Sequence, residues 1–336
     1  MTTSNPVFIE VTRAGFVESR HRGACAVVDA DGQMVHAWGD VEALVYPRSA
    51  LKPIQALPLI ETGAADHYGL GDEEIALACA SHNSEPFHVE RVTAWLERVG
   101  LTVDDLECGV CEAISLDVTK AMSSAHEPFT RAHNNCSGKH TGFLSTALFM
   151  GEATKGYIGA HHPVQQRVTK TVEEMTGVSL SSAPCGSDGC GIPVFAFPLH
   201  ALARGMARMM SKDLAASRKA AANRVMAAMV ACPQCVAGTK RFDTRVMTAC
   251  KGEVLVKGGA EGVHIAMIPA KGLGIALKVD DGTIRASEQA MGCILDGLGL
   301  LPEAARSELA DLIEMPVRST LGERVGEIRK GPGLMF

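Results

Sequence analysis

Aromatic side chains are scarce in this chain, at 4% of 336 residues, with only two Trp and three Tyr. So few flat rings exclude the stacking platforms on which single-stranded nucleic acid is held. Basic residues are also in deficit, with 32 Lys and Arg against 38 Asp and Glu and a formal net charge of -6. Binding to duplex nucleic acid or to an anionic membrane surface needs the opposite balance, concentrated in a patch. No apolar run approaches the roughly 18 residues of a membrane span. The opening Met1-Thr2-Thr3-Ser4-Asn5-Pro6 has no basic segment followed by an apolar one, so no secretory leader is expected and a cytoplasmic setting is. In a reducing compartment, 11 cysteines are expected as thiols or metal ligands rather than disulfides. Internal repeats, low-complexity tracts and long linkers are also missing.

What remains is a long chain with 46% hydrophobic residues and 34 glycines, enough for one large domain or two modest ones with many tight turns. Residues 7–13 and 24–29 read as strands, and Asp31-Gly32 signals a hairpin into a return strand at 34–39. From Ser49 the pattern is helical to about residue 62. Pro86 opens a helix with Val89, Val92, Trp95, Leu96 and Val99 on one face. Further helices are expected over 138–150, 162–176, 198–210 and 213–230. Residues 253–257, 263–268 and 273–279 read as strands. Helices over 284–299 and 303–313 follow, then a last strand near 325–329. Strands at both ends with helices between predict an α/β (α+β) fold. An antiparallel sheet would draw on 1–48 and 245–336, packed with helices, and 49–244 would form a mainly helical lobe.

Four segments could carry chemistry. In Arg48-Ser49-Ala50-Leu51-Lys52-Pro53, three residues of helix place Ser49 and Lys52 on one face. A neutral lysine can take the proton of a serine and make it a nucleophile; the competing reading is an N-cap serine and a surface lysine. In Cys79-Ala80-Ser81-His82-Asn83-Ser84, a second hydroxyl, Ser81, follows an apolar run, where a helix-capping turn is the alternative. Lys257-Gly258-Gly259 puts a lysine on a strand where glycines let a ligand approach the backbone. The order Ser-x-x-Lys, Ser-x-Asn, Lys-Gly-Gly parallels the motif order of class A β-lactamases and penicillin-binding proteins.

The fourth is a pair of glycine-rich turns. These are Asn134-Asn135-Cys136-Ser137-Gly138-Lys139-His140 and Gly186-Ser187-Asp188-Gly189-Cys190-Gly191. Two thiols on rigid turns could form half of a zinc site, with His140 or Lys139 as a third ligand; buried free thiols are the other reading. Cys108-Gly-Val-Cys111 and Cys232-Pro-Gln-Cys235 have metal-ligand spacing, but lie too far apart for one zinc ribbon. They are read as structural thiols.

Taken together, these motifs resemble the Rhizobium etli type of L-asparaginase, called class 3, over nearly the whole chain. The resemblance rests on Arg48-Ser49-Ala50-Leu51-Lys52-Pro53, Cys79-Ala80-Ser81-His82, Cys136-Ser137-Gly138-Lys139-His140, Asp188-Gly189-Cys190 and Lys257 before Gly259-Ala260-Glu261. It implies a fold similar to serine β-lactamases and glutaminases. The implied activity is hydrolysis of L-asparagine to L-aspartate and ammonia by a homodimer. It implies two catalytic tandems, Ser49 with Lys52 and Ser81 with Lys257, and zinc held by Cys136, Lys139 and Cys190. His140 and Asp188 are implied near the substrate, while Arg48, just before Ser49, could itself bind a substrate carboxylate or simply be solvated. No Thr-Gly-Gly-Thr signature of the threonine-dependent asparaginases occurs. Asp243, after Arg241-Phe242, replaces a cysteine found in a relative of this type. Rival readings are a glutaminase or other serine amidase on the same scaffold, a zinc-water amidohydrolase, and a zinc-binding protein without catalysis.

Overall fold

The computed structural model describes residues 4–336. Contacts divide the chain into two units, one of residues 1–50, 196–211 and 245–336, the other of residues 51–195 and 212–244.

The first unit is built on an eight-stranded antiparallel sheet. Its strands are β1 (Val7–Arg13), β2 (Phe16–Val28), β3 (Met34–Trp38), β4 (Leu255–Gly258), β5 (Val263–Ile268), β6 (Leu273–Val279), β7 (Met315–Arg318) and β8 (Arg324–Lys330). The order is β7-β8-β1-β2-β6-β5-β4, with β3 paired to β2. The chain ends therefore supply neighbouring strands, as the sequence pattern predicts. Registers such as Ala276 opposite Ala26 and Ile275 opposite Ala266 fix which residues share a face. All six residues of β5 are buried, which requires cover on both faces of the sheet. Helices Leu199–Arg208 and Ile284–Gly297 pack on it.

Helix Leu199–Arg208 belongs to this unit, although the sequence pattern assigned it to the helical stretch 49–244. Its buried Ala203 and Ala207, one turn apart, form a face of small side chains. They let it settle directly on β6, where a Cβ at Gly274 would come within 2.2 Å of Ala203 O and Ala207 N.

The second unit is helical. Its main helices are Asp72–Ala78, Pro86–Arg98, Ser137–Phe149, Pro163–Thr176 and Ala216–Ala231. Trp95, Leu77, Phe143, Leu144, Val172, Val225 and Met229 make the core. Helix Ser137–Phe149 is buried from Ser137 to Ala147. Its hydroxyls are satisfied internally, Thr141 donating to Ser137 O at 2.9 Å and Ser145 to Thr141 O at 2.8 Å. The helix expected over 49–62 is broken into a 3-10 turn, Arg48–Leu51, and two short helices, Lys52–Gln55 and Leu57–Glu61. Pro58 accounts for the second break, since it has no N–H to continue the ladder.

Candidate active site

Lys52 opens its short helix with its side chain fully buried. The amine donates to Ala80 O, to Ser81 Oγ at 3.0 Å and to Cys136 Sγ at 3.1 Å. Ser81 is held from behind, its N–H donating to Val236 O at 2.9 Å. One buried amine therefore gathers a serine from the turn after helix Asp72–Ala78 and a thiol from the turn before helix Ser137–Phe149.

The close approach of those two helices makes this possible. A Cβ on Gly138 would stand 2.4 Å from Leu77 O, so only glycine lets the start of the second helix meet the end of the first. Cys136 is fixed by Asn134, whose Oδ1 accepts the Cys136 N–H at 2.9 Å while its Nδ2 donates to Gly109 O at 2.7 Å.

One turn into the helix, Lys139 Nζ lies 3.1 Å from Cys190 Sγ. Cys190 ends a tight turn in which the Asp188 carboxylate accepts the Gly189 N–H at 2.8 Å, and Gly191 takes a positive φ of 91°. The thiols are coupled. A hydrogen bond from Cys136 is the largest influence on Cys190 and, with the Lys139 charge, outweighs burial and brings its pKa down to about 5. The same bond, with burial, pushes the Cys136 thiol up to about 12 despite Lys52 and Lys139 nearby. Burial disfavours charge on Lys139, but Cys190, Cys136 and Asp188 outweigh it and hold the amine above the ordinary lysine range. These shifts together favour charge on Cys190 over Cys136, with the Cys136 thiol and the Lys139 amine both bonded to the Cys190 sulfur.

His140 follows Lys139 and is fully buried. Burial, then the Lys139 charge, lower its pKa to about 3, so the ring is neutral. Its Nδ1 is 2.7 Å from the Tyr157 hydroxyl.

Among the described residues, no group of three or more His, Cys, Asp or Glu is arranged to hold a metal ion. The donors that do converge are two thiols and an amine, Cys136, Cys190 and Lys139. Thiolates suit zinc, and a lysine can join them only after losing its proton.

The other expected residues lie in the sheet unit. Ser49 is half-buried in the 3-10 turn Arg48–Leu51, which leads straight into Lys52. Arg48, before it, has a φ of +49°, a left-handed conformation unusual for a residue other than glycine and found mostly where structure enforces it. Lys257 is 1% exposed on β4 and donates to Gly258 O at 2.6 Å. Gly259 lies against the serine turn, where a Cβ would be 3.0 Å from both Ala50 N and Pro47 O. Strand β4 thus ends beside Ser49. Asp243, by contrast, belongs to the helical unit, buried in the first turn of helix Phe242–Cys250. Its neighbour Arg241 donates to Asn83 Oδ1 at 2.9 Å.

Two residues to which the sequence assigns no role also shape the site. His82 is a buried support, bonded to Ser137 Oγ at 2.9 Å and accepting the Ser84 N–H at 3.1 Å. Tyr157, a lone tyrosine in a loop, carried no signal. A cavity of about 840 Å³ lined by Val89, Val118, Met122 and Pro128 among others contains none of the expected site residues.

The family model described as L-asparaginase II matches residues 9–330. No curated protein matches the chain. Among solved structures, a protein described as a beta-lactamase from Bacteroides dorei is 11% identical, with a TM-score of 0.40 over 76% of this chain and 84% of its own. Mglu in its native form is 15% identical, with a TM-score of 0.38 over 88% of this chain and 65% of its own. The D-alanine carboxypeptidase AmpC from Burkholderia cenocepacia is 13% identical, with a TM-score of 0.37 over 87% and 92%. Likenesses this loose say nothing about chemistry.

Proposed function

This chain belongs to the L-asparaginase II family, and from that premise we propose that it is an L-asparagine amidohydrolase of the Rhizobium etli (class 3) type with a serine nucleophile. The observation that carries the serine reading is the Lys52 amine, fully buried and 3.0 Å from the Ser81 hydroxyl. Once it has given up a proton, an amine in contact with a hydroxyl is the base that proton transfer during acyl transfer needs.

In this reading Ser49 Oγ attacks the side-chain amide carbon and Lys52 receives its proton. The proton passes to Ser81, and Ser81 with Lys257 delivers it to the departing ammonia. Backbone N–H groups at the Ser49 turn hold the oxyanion. Water then attacks the aspartyl ester, returning a proton to Ser49 and releasing L-aspartate. Arg48, His140 and Asp188 hold the amino-acid end of the substrate. Cys136, Lys139 and Cys190 are the residues that would hold zinc. When bound, the metal supplies a fixed positive charge that orients the α-carboxylate or α-amino group. A homodimer and a cytoplasmic setting complete the reading. Among the described residues no helix is long and apolar enough to cross a membrane.

The test is a parallel assay of asparagine, glutamine and a chromogenic lactam on the wild type and on Ser49→Ala. Preferred turnover of asparagine, lost in Ser49→Ala, supports the proposal. Preferred turnover of glutamine moves the chain to the glutaminase reading. Substantial asparaginase activity left in Ser49→Ala points to a metal-activated water in place of the serine.

A further inference from the structure

The His140 ring is held by only one of its two nitrogens. Nδ1 is 2.7 Å from the Tyr157 hydroxyl, while Nε2 is buried with no hydrogen-bond partner. Tyr157 is itself fully buried. Its oxygen already accepts the Glu107 N–H at 2.9 Å, and Glu107 Oε1 accepts the Gly156 N–H at 2.7 Å, pinning the loop that carries the ring. A phenol has one proton to donate, and His140 Nδ1 is the acceptor in reach. A neutral imidazole that accepts at Nδ1 carries its own proton on Nε2. Helix Ser137–Phe149 therefore presents a buried N–H donor, beside Lys139 and near Asp188, with nothing to receive it. Leaving such a group unpaired is unfavourable, and a bound ligand oxygen removes that cost.

We propose that Tyr157 is a positioning residue that locks His140 in its Nε2–H form, so that His140 donates a hydrogen bond to a carboxylate or carbonyl oxygen of the bound amino-acid substrate. This rests on the amidohydrolase reading above and assigns a role to a residue outside the sequence motifs. It also separates His140 from Lys139. A nitrogen that bears a proton has no lone pair for a metal, and a metal-bound histidine normally donates from its other nitrogen, the reverse of what Tyr157 requires. Lys139 is thereby left as the third donor beside the two thiols.

The first test does not involve turnover. The full chain, labelled with 15N-histidine, is examined by long-range 15N–1H correlation, with His140→Gln assigning the signal. The expected result is a His140 ring protonated at Nε2 in the wild type, shifting toward Nδ1 protonation in Tyr157→Phe. Protonation at Nδ1 in the wild type overturns the proposal and makes His140 a metal-ligand candidate. Neither result depends on which amide is hydrolysed, so the tautomer can fail while the asparaginase reading stands, and the reverse.

The second test is kinetic. Tyr157→Phe should raise KM for asparagine about tenfold and change kcat by less than about threefold, the pattern of lost substrate binding. His140→Gln carries an amide N–H close to the Nε2 position and needs no tautomer control. In that background Tyr157→Phe should change KM by less than about twofold, since the two residues act as one unit. An equal loss in both backgrounds would mean that Tyr157 only supports the loop, and the proposal would fall.

Discussion

Lys52 Nζ stands 3.0 Å from Ser81 Oγ and 3.1 Å from Cys136 Sγ, so one buried amine touches both a hydroxyl of the proposed catalytic pairs and a thiol of the proposed zinc site. The sequence pairs Lys52 with Ser49 by helical spacing and Ser81 with Lys257 by resemblance. In the proposed mechanism the contact to Ser81 makes Lys52 a member of both pairs, and the contact to Cys136 joins it to the thiol cluster. Changes at any of these residues should therefore not act independently.

Replacing Lys52 by Met keeps most of the volume and removes the base. Loss of general-base catalysis should lower kcat by about 10²–10⁴. Ser49→Ala should lose at least as much. The double variant Lys52→Met/Ser49→Ala should lose little beyond the worse single one, because residues acting in one step are strongly non-additive. Steady-state kinetics on the four proteins decides the matter. Losses that multiply would separate the lysine from the serine and undo the shared path.

Zinc loading should release protons and tighten with pH. Cys190 is already a thiolate above a pKa of about 5, whereas Cys136 is held up to about 12 and Lys139 above its ordinary range. Both of the latter must shed a proton to ligate, so about two protons should leave per zinc bound, and log affinity should rise about two units per pH unit near neutrality. Calorimetry in buffers of different ionisation enthalpy counts them. A count of one would remove Lys139 or Cys136 from the ligand set. Chelation should raise KM more than it lowers kcat if the metal orients substrate.

Stability should fall in mild acid because of buried histidines. His82 and His88 are fully buried and stacked, with ring centroids 4.9 Å apart. Burial, then the His88, Lys52 and His133 charges, hold His82 well below the ordinary range. His88 is lowered mainly by burial, against the Gln234 carbonyl and Glu85. In the unfolded chain both rings take protons below about 6.5. Below that value the unfolded state binds more protons than the folded one, so stability drops as pH falls, by up to about 1.4 kcal/mol per pH unit for each ring. Tm followed from about pH 7 to 5 should decline, and less steeply in His88→Gln if that variant folds. A flat profile would mean that the rings accept protons in place.

Much of the sheet could be read from local pattern. Strands such as Leu273–Val279 alternate or run apolar between glycine turns, and their burial is decided by that pattern alone. Strand Met315–Arg318 was missed because Pro316 argues against a strand; it is tolerated there because this strand is the sheet edge, paired on one side only. Helix Leu116–Ala125 was missed for another reason. Its apolar residues Val118, Ala121, Met122 and Ala125 recur at helical spacing but line an open cavity and none is buried, and the surrounding Ser, Thr and Asp residues read as a loop. At the site, Cys136, Lys139 and His140 were legible because one helix turn carries them in a run. The Lys52–Ser81 contact and Tyr157 were not, because both depend on loops whose meeting no local period encodes.

The sharpest check on how the site is built compares two glycines one turn apart in helix Ser137–Phe149. At Gly138 a Cβ would stand 2.4 Å from Leu77 O and 2.8 Å from Leu77 C, backbone atoms that move only if a helix moves. At Gly142 the nearest atoms would be Leu59 Cδ2 at 3.5 Å and Ala78 Cβ at 3.6 Å, ordinary contact distances. Gly142→Ala should therefore be neutral or gain up to about 1 kcal/mol from helix propensity. Gly138→Ala should lose about 1–3 kcal/mol through overpacking. It should also weaken zinc binding and asparagine turnover, since Cys136 and Lys139 ride on the displaced turn. Urea unfolding, metal titration and kinetics on both variants test this. Similar behaviour of the two would mean that the helices part without disturbing the cluster, and that the contact at Leu77 does not set the geometry of the site.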